Sequence, residues 1–197
     1  MQRPYLSSTK HDKYKMRFMN DSPNILVVDD TPENPRLLVG LLAERGYNIR
    51  PAASGSQALS PVHKEAPDLI LLDIRMPEMD GYEVCKYLKA DEDTCDIPII
   101  FISALDQTFD KVKAFTLGGV DYITKPIQAE EVFARVETHL ALWKYRQHLE
   151  ELVEERTSEL KHAHEQLQRA FSEIQQLQER LQAENTYLRQ EIQLEHH

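Results

Sequence analysis

Over residues 24–126 short apolar runs alternate with stretches of helical spacing, a pattern that predicts a parallel α/β sheet. The first strand is read at residues 24–29. A helix follows from about Pro32, with Leu37, Leu38, Leu41 and Leu42 at helical spacing, and Gly46 stops it. Pro35 is tolerable only in the first turn of that helix. The second strand, 47–53, contains Pro51, which lacks the ladder donor and so belongs at a sheet edge. The second helix, near 55–64, contains Pro61 and is expected to be short or kinked. The third strand is 68–73, and the turn-rich Met76-Pro77-Glu78-Met79-Asp80-Gly81 leads into a third helix through Lys89. The fourth strand is 98–102, the fourth helix about 107–117 and the fifth strand 120–124. Five strands with the second at an edge fit a flavodoxin-like sheet of order 2-1-3-4-5 with helices on both faces.

From about residue 128 to 193 there is no glycine or proline, which predicts a nearly continuous helix. Val132, Phe133, Val136, Leu140 and Trp143 give its first part an apolar face for packing on the sheet. Further on, Leu160, Leu167, Ile174, Leu181 and Leu188 recur every seven residues, with Ala163, Ala170, Leu177, Glu184 and Glu191 between them. Leu142, Leu149 and Val153 fit the same register upstream, interrupted by Arg146 and Arg156. Such a stripe predicts a parallel homodimeric coiled coil over about 149–188, because a lone helix would expose it. A shifted seam through Phe171, Asn185 and Ile192 stays open near the end.

The chain divides on this reading into a tail (1–22), a sheet domain (23–142), a coiled-coil helix (143–193) and an ending, 194–197, that resembles the start of an engineered histidine tag. The natural protein is therefore expected to continue and to carry its output in the missing part. The net charge of −10 argues against a nucleic-acid-binding surface in this fragment. The first 21 residues are locally basic but have no apolar stretch, so they are no signal peptide. No apolar run has the length of a membrane span. Two cysteines, Cys85 and Cys95, are too few for a disulfide framework and suit a reducing, cytoplasmic setting.

The chemistry lies at the strand ends. The first run ends in Asp29-Asp30, the third in Asp73, the fourth in Ser103 and the fifth in Lys125. In a parallel sheet these groups meet at one edge. Asp30 and Asp73 would ligate Mg²⁺, with Asp29 direct or through water and a backbone carbonyl of the following loop, that of Arg75, as a further ligand. Asp73 would be the nucleophile of a phosphoryl transfer, because carboxylates form acyl phosphates. Lys125, the Ser103 hydroxyl and the Ala104 backbone would hold phosphate oxygens. Singly, each residue has an ordinary alternative: a helix cap for Asp29, a turn residue for Asp73, a strand-end hydroxyl for Ser103, a solvated lysine for Lys125. Jointly the pattern is specific.

Val27-Val28-Asp29-Asp30, Leu71-Leu72-Asp73-Ile74-Arg75-Met76-Pro77-Glu78-Met79-Asp80-Gly81, Ser103-Ala104 and Lys125-Pro126 resemble the motifs of response-regulator receiver domains. The resemblance covers residues 24–142. It implies that Asp73 takes phosphate from a sensor histidine kinase or phosphotransfer protein, with Asp29 and Asp30 as the metal-binding acid pair. It implies Ser103 as switch hydroxyl, Tyr122 as switch aromatic, and a cis Lys125–Pro126 bond. Arg75 and Leu105 stand at the variable positions beside the phosphate, and neither suits the orienting of water, so dephosphorylation is expected to be slow. An aspartyl-phosphate phosphatase is the alternative from another class. It fits less well, because no second acid stands two residues after Asp73 and no cap-sized insertion is present. A dimerisation scaffold with a vestigial site is a third reading, opposed by the intact acid set. The stretch 154–160 resembles signalling helices that precede kinase or cyclic-dinucleotide-synthase domains. The stretch 181–192 is similar to the linker before the ATPase of enhancer-dependent AAA+ transcription activators.

Overall fold

A computed structural model of the chain describes residues 22–62, 65–104 and 108–195. The expectations for the N-terminal tail, for Leu105 and for the last two residues lie outside the described residues.

Five strands form one parallel sheet: β1 (Asn24–Val28), β2 (Asn48–Ala52), β3 (Leu69–Asp73), β4 (Ile99–Ser103) and β5 (Asp121–Thr124), in the order β2-β1-β3-β4-β5. The helices between them are α1 (Glu33–Ala43), α2 (Gly55–Val62), α3 (Gly81–Ala90) and α4 (Thr108–Thr116), and α5 (Ala129–Glu195) follows β5. The order is the expected one. β2 is an edge strand, and Pro51 sits in it opposite Val27 without breaking a second ladder. Pro35 falls in the first turn of α1 and Pro61 in the last turn of α2. Gly46, at φ 82°, ends the turn after α1 in the left-handed region that suits glycine.

The period of two in the strands sorts the core into two layers. Ile25, Val27, Leu69, Leu71, Ile100, Ile102 and Ile123 meet Leu38 and Leu42 of α1 and Val132, Val136 and Leu140 of α5. Leu26, Val28, Ile70, Leu72, Ile99 and Phe101 face the other way and meet Ala58 of α2, Val84, Cys85 and Leu88 of α3 and Ala114 of α4. Every residue of β1, β3 and β4 is buried, which is why those runs read as continuously apolar. β4 extends one residue further than expected: Ser103 belongs to it and pairs with Thr124.

The chain separates into two compact units, the first ending at Gln147. Trp143 and Gln147 are buried within that first unit, and Arg146 pairs with Asp96 at 2.6 Å. In the second unit α5 continues as a helix whose Leu149, Val153, Leu160, Leu167, Phe171, Ile174, Leu177 and Leu181 are all exposed in the single chain. No helix among the described residues is long and apolar enough to cross a membrane.

Candidate phosphoacceptor site

Asp29, Asp30 and Asp73 come together at the carboxyl end of the sheet, because β1 and β3 are adjacent and in register. Each carboxylate offers one oxygen within 4.8 Å of the others. Asp29 and Asp73 are buried, and Asp30 is half-buried. Lys125, just after β5, extends between them. Its Nζ lies 2.9 Å from Asp29 Oδ2 and 3.1 Å from Asp73 Oδ2. The base of this lysine is anchored, since its backbone N–H donates to the Ser103 carbonyl at 2.7 Å. The Lys125–Pro126 bond is cis, as the resemblance implied.

Electrostatics follow from this crowding. Burial, then the neighbouring Asp29 charge, push the Asp73 carboxyl above its ordinary value, against the opposing pull of Lys125. Burial disfavours the charge on Lys125, but its hydrogen bonds to Asp29 and Asp73 outweigh that and hold its pKa raised. Among the described residues Lys125 thus bridges two of the three clustered carboxylates. Hard oxygen donors in partly neutralised excess are what a divalent cation such as Mg²⁺ requires, so the residues fit that ion.

The loop after Asp73 is fixed by local chemistry. Asp80 caps α3, accepting from Glu83 N–H at 2.8 Å, while the Glu83 side chain accepts from Asp80 N–H at 3.1 Å. Gly81 is obligatory by contact: a Cβ there would collide with the Asp73 carbonyl oxygen. The Gly81 N–H donates to the Ile74 carbonyl at 3.0 Å, drawing the start of α3 against the end of β3. Glu78 adopts φ 66°, a strained value for a residue with a Cβ.

The remaining expected residues sit around the same edge. Ser103 is buried at the end of β4, and Ala104 after it is exposed. Arg75, two residues past Asp73, has an exposed side chain. Tyr122 is half-buried in β5, edge-on to Phe115 of α4 at 6.0 Å, with the Arg135 guanidinium 5.6 Å from its ring.

Two groups of residues escaped the sequence reading. Asn34 of α1 donates to Asp29 at 3.1 Å from Oδ1 and 2.9 Å from Oδ2, and the Thr31 N–H donates to Oδ1 at 2.9 Å. The signal available was an amide in the first helical turn, five residues after an acid. Second, Arg135 of α5 grips Asp121 of β5 at 2.6 and 2.7 Å, and His139 Nε2 lies 3.1 Å from the same carboxylate. Burial would raise the Asp121 carboxyl, but these partners hold it below its ordinary value. No local pattern marks that pairing, since it joins a strand to a helix that follows it.

Fold and site together define a receiver module of the two-component signalling type. The family model for the response regulator receiver domain matches residues 25–137, and the chain belongs to that family. Among curated relatives, the DNA-binding dual master transcriptional regulator RpaA of Synechocystis is 41% identical over 58% of this chain and 47% of its own length. Response regulator PleD of Caulobacter vibrioides is 44% identical over 58% of this chain and 25% of its own length. The alkaline phosphatase synthesis transcriptional regulatory protein PhoP of Bacillus subtilis is 44% identical over 59% of this chain and 48% of its own. This chain thus spans between a quarter and a half of those relatives. Of solved structures, the receiver domain of the Francisella response regulator 1452 superposes with a TM-score of 0.57 at 31% identity, covering 61% of this chain and 98% of that one. NtrX of Brucella abortus superposes with a TM-score of 0.62 at 28% identity, covering 66% of this chain and 29% of that one.

Proposed function

We propose that the receiver domain accepts a phosphoryl group on Asp73 from a phosphohistidine of a sensor kinase or phosphotransfer protein, and passes the change to an output through a dimeric helix. The observation that carries this is Lys125 bridging Asp29 and Asp73 beside a third acid, at the edge where the β3 nucleophile emerges. In the transfer an Asp73 carboxylate oxygen attacks phosphorus, a P–O bond forms, the P–N bond breaks, and the imidazole leaves with the electron pair. Asp29, Asp30 and Asp73 would hold the Mg²⁺, with the Arg75 carbonyl as a further ligand. When bound, the ion neutralises charge on the acids and the phosphoryl oxygens. Lys125 stands close enough to Asp73 to follow a phosphoryl oxygen, which would loosen its grip on Asp29. Ser103 and the Ala104 backbone would bind the remaining oxygens, and Tyr122 against Phe115 would report the change to α4. Such a switch is a shift of population between two arrangements.

The second half of the reading is a parallel homodimer through α5 over about 149–188. Its support is the heptad stripe, which the single chain leaves in water. An output domain belongs to this reading, since the chain matches only a quarter to a half of the length of its curated relatives. The transcriptional regulators among the relatives and the linker-like stretch 181–192 favour transcription activation by an AAA+ ATPase, and the stretch 154–160 favours an enzymatic output as the second choice. The setting that suits a kinase partner, two free cysteines and the absence of a spanning helix among described residues is the cytoplasm.

The test is phosphorylation by acetyl phosphate, followed by intact mass. Wild type with Mg²⁺ gains one phosphate; EDTA and Asp73→Asn each abolish the gain. A gain that persists in Asp73→Asn overturns the assignment.

A further inference from the structure

Asp29 is surrounded by donors in an unusual way. Oδ1 accepts from the Thr31 N–H and from Asn34 Nδ2, and Oδ2 accepts from Asn34 Nδ2 and from Lys125 Nζ. The Asn34 nitrogen lies nearly equidistant from the two oxygens, 3.1 and 2.9 Å away. A donor so placed sits across the open end of the carboxylate. That is the position a cation must take to be chelated by both oxygens at once. The amide must present its nitrogen there, because its oxygen would face two carboxylate oxygens.

We infer that Asn34 is a specificity-determining positioning residue, which blocks two-oxygen chelation at Asp29 and so biases the acid cluster toward Mg²⁺ over Ca²⁺. The inference rests on the proposed Mg²⁺ site. Mg²⁺ takes single oxygens in a compact octahedron and keeps its waters, so it loses nothing when the end of Asp29 is closed. Ca²⁺ is larger, takes more oxygens and commonly uses carboxylates in the two-oxygen mode. With Asn34 in place, Asp29 can offer a cation a single oxygen once Lys125 moves aside, or a water between. The backbone fixes the amide in this position, because Asn34 lies in the first turn of α1 and its N–H donates to the Thr31 carbonyl at 3.1 Å. Asn34 need not touch the ion; it acts through the carboxylate, as outer partners of metal ligands do.

The experiment measures Mg²⁺ and Ca²⁺ dissociation constants for the full chain by titration calorimetry, for wild type, Asn34→Ala and Asn34→Gln. Thermal unfolding in EDTA confirms that each variant is folded. The expected result for Asn34→Ala is a Ca²⁺ affinity that rises relative to Mg²⁺, narrowing the ratio of the two constants by about tenfold. Asn34→Gln, whose longer amide can still reach Asp29, should keep a ratio nearer wild type. An unchanged ratio in Asn34→Ala, with Mg²⁺ still bound by wild type, overturns the role of Asn34 alone. Failure of wild type to bind either ion at millimolar concentration overturns the metal-site reading beneath it. A loss of both affinities in equal proportion overturns the specificity role, since a merely structural contribution would do that.

Discussion

Replacing Lys125 by methionine removes the positive side chain that bridges Asp29 and Asp73 while keeping a stem of similar length. In the native site Nζ bonds Asp29 Oδ2 at 2.9 Å and stands 3.1 Å from Asp73 Oδ2, both on carboxylates that are 0% and 5% exposed. Breaking a buried ion pair by deleting one partner costs about 3–5 kcal/mol. Two features reduce that here. Lys125 is 22% exposed, so water reaches the vacated position, and Asp29 keeps its bonds from Thr31 and Asn34. A loss of roughly 2–3 kcal/mol follows, which lowers Tm by on the order of 10 °C for a domain of this size. The pH dependence has a definite sign. The Asp73 carboxyl is already raised from 3.8 by burial and by Asp29, and loss of Lys125 raises it further. A carboxyl raised in the folded state costs stability while ionised, and the cost fades as pH falls through the folded value. The deficit of Lys125→Met is therefore largest at neutral pH and shrinks toward acid. On the alkaline side wild type loses the lysine's contribution as pH rises through its raised folded value, so the two proteins also converge there. Added Mg²⁺ should stabilise the variant more than wild type; an ion at ten times its Kd contributes about 1.4 kcal/mol. Urea or thermal unfolding in EDTA from pH 4 to 8, repeated with Mg²⁺, reads the loss at neutral pH, its decline toward acid and the effect of the ion. Equal stability of the two proteins at pH 7 in EDTA would refute the reasoning, as would a deficit that grows toward acid.

Three further outcomes test other parts of the structure. Gly81→Ala forces a methyl against the Asp73 carbonyl, so it should cost about 1–3 kcal/mol by overpacking and weaken Mg²⁺ binding, both read by thermal unfolding with and without the ion. Glu78→Gly relieves a left-handed φ of 66°, worth roughly 1–2 kcal/mol less the roughly 0.5–1 kcal/mol entropy of a new glycine, so Tm should rise slightly; a fall would show that Glu78 makes a compensating contact. Leu167→Asp places a charge in the proposed seam. Each buried leucine is worth roughly 1.5–3 kcal/mol, so light scattering at micromolar concentration should show a dimer in wild type and a shift toward monomer in the variant, with the receiver unit still folded.

The periodicity of the chain alone determined a great deal. Runs such as Leu69–Leu72 are apolar without alternation because both faces of the sheet are covered, and that fact is written in every residue of the run. Pro51 named its own strand as an edge, because a missing N–H can be tolerated only where a ladder is absent. The coming together of the three acids and Lys125 was legible because strand ends in a parallel sheet converge by topology, with no need to know a side-chain angle. The heptads of α5 mark a face that one chain leaves exposed, but what covers it is a matter of a second molecule rather than of periodicity. Only the tertiary structure decided the rest. Which carboxylate Lys125 bonds, that Asn34 closes the end of Asp29, that Gly81 is needed for one carbonyl, and that Asp121 is claimed by Arg135 and His139 are all contacts between elements. Hydrogen bonds are directional and short, so they depend on where helices settle to within an ångström. Apolar burial is neither, which is why a pattern of hydrophobic positions predicts layers and order, while the polar partners within the site had to be seen.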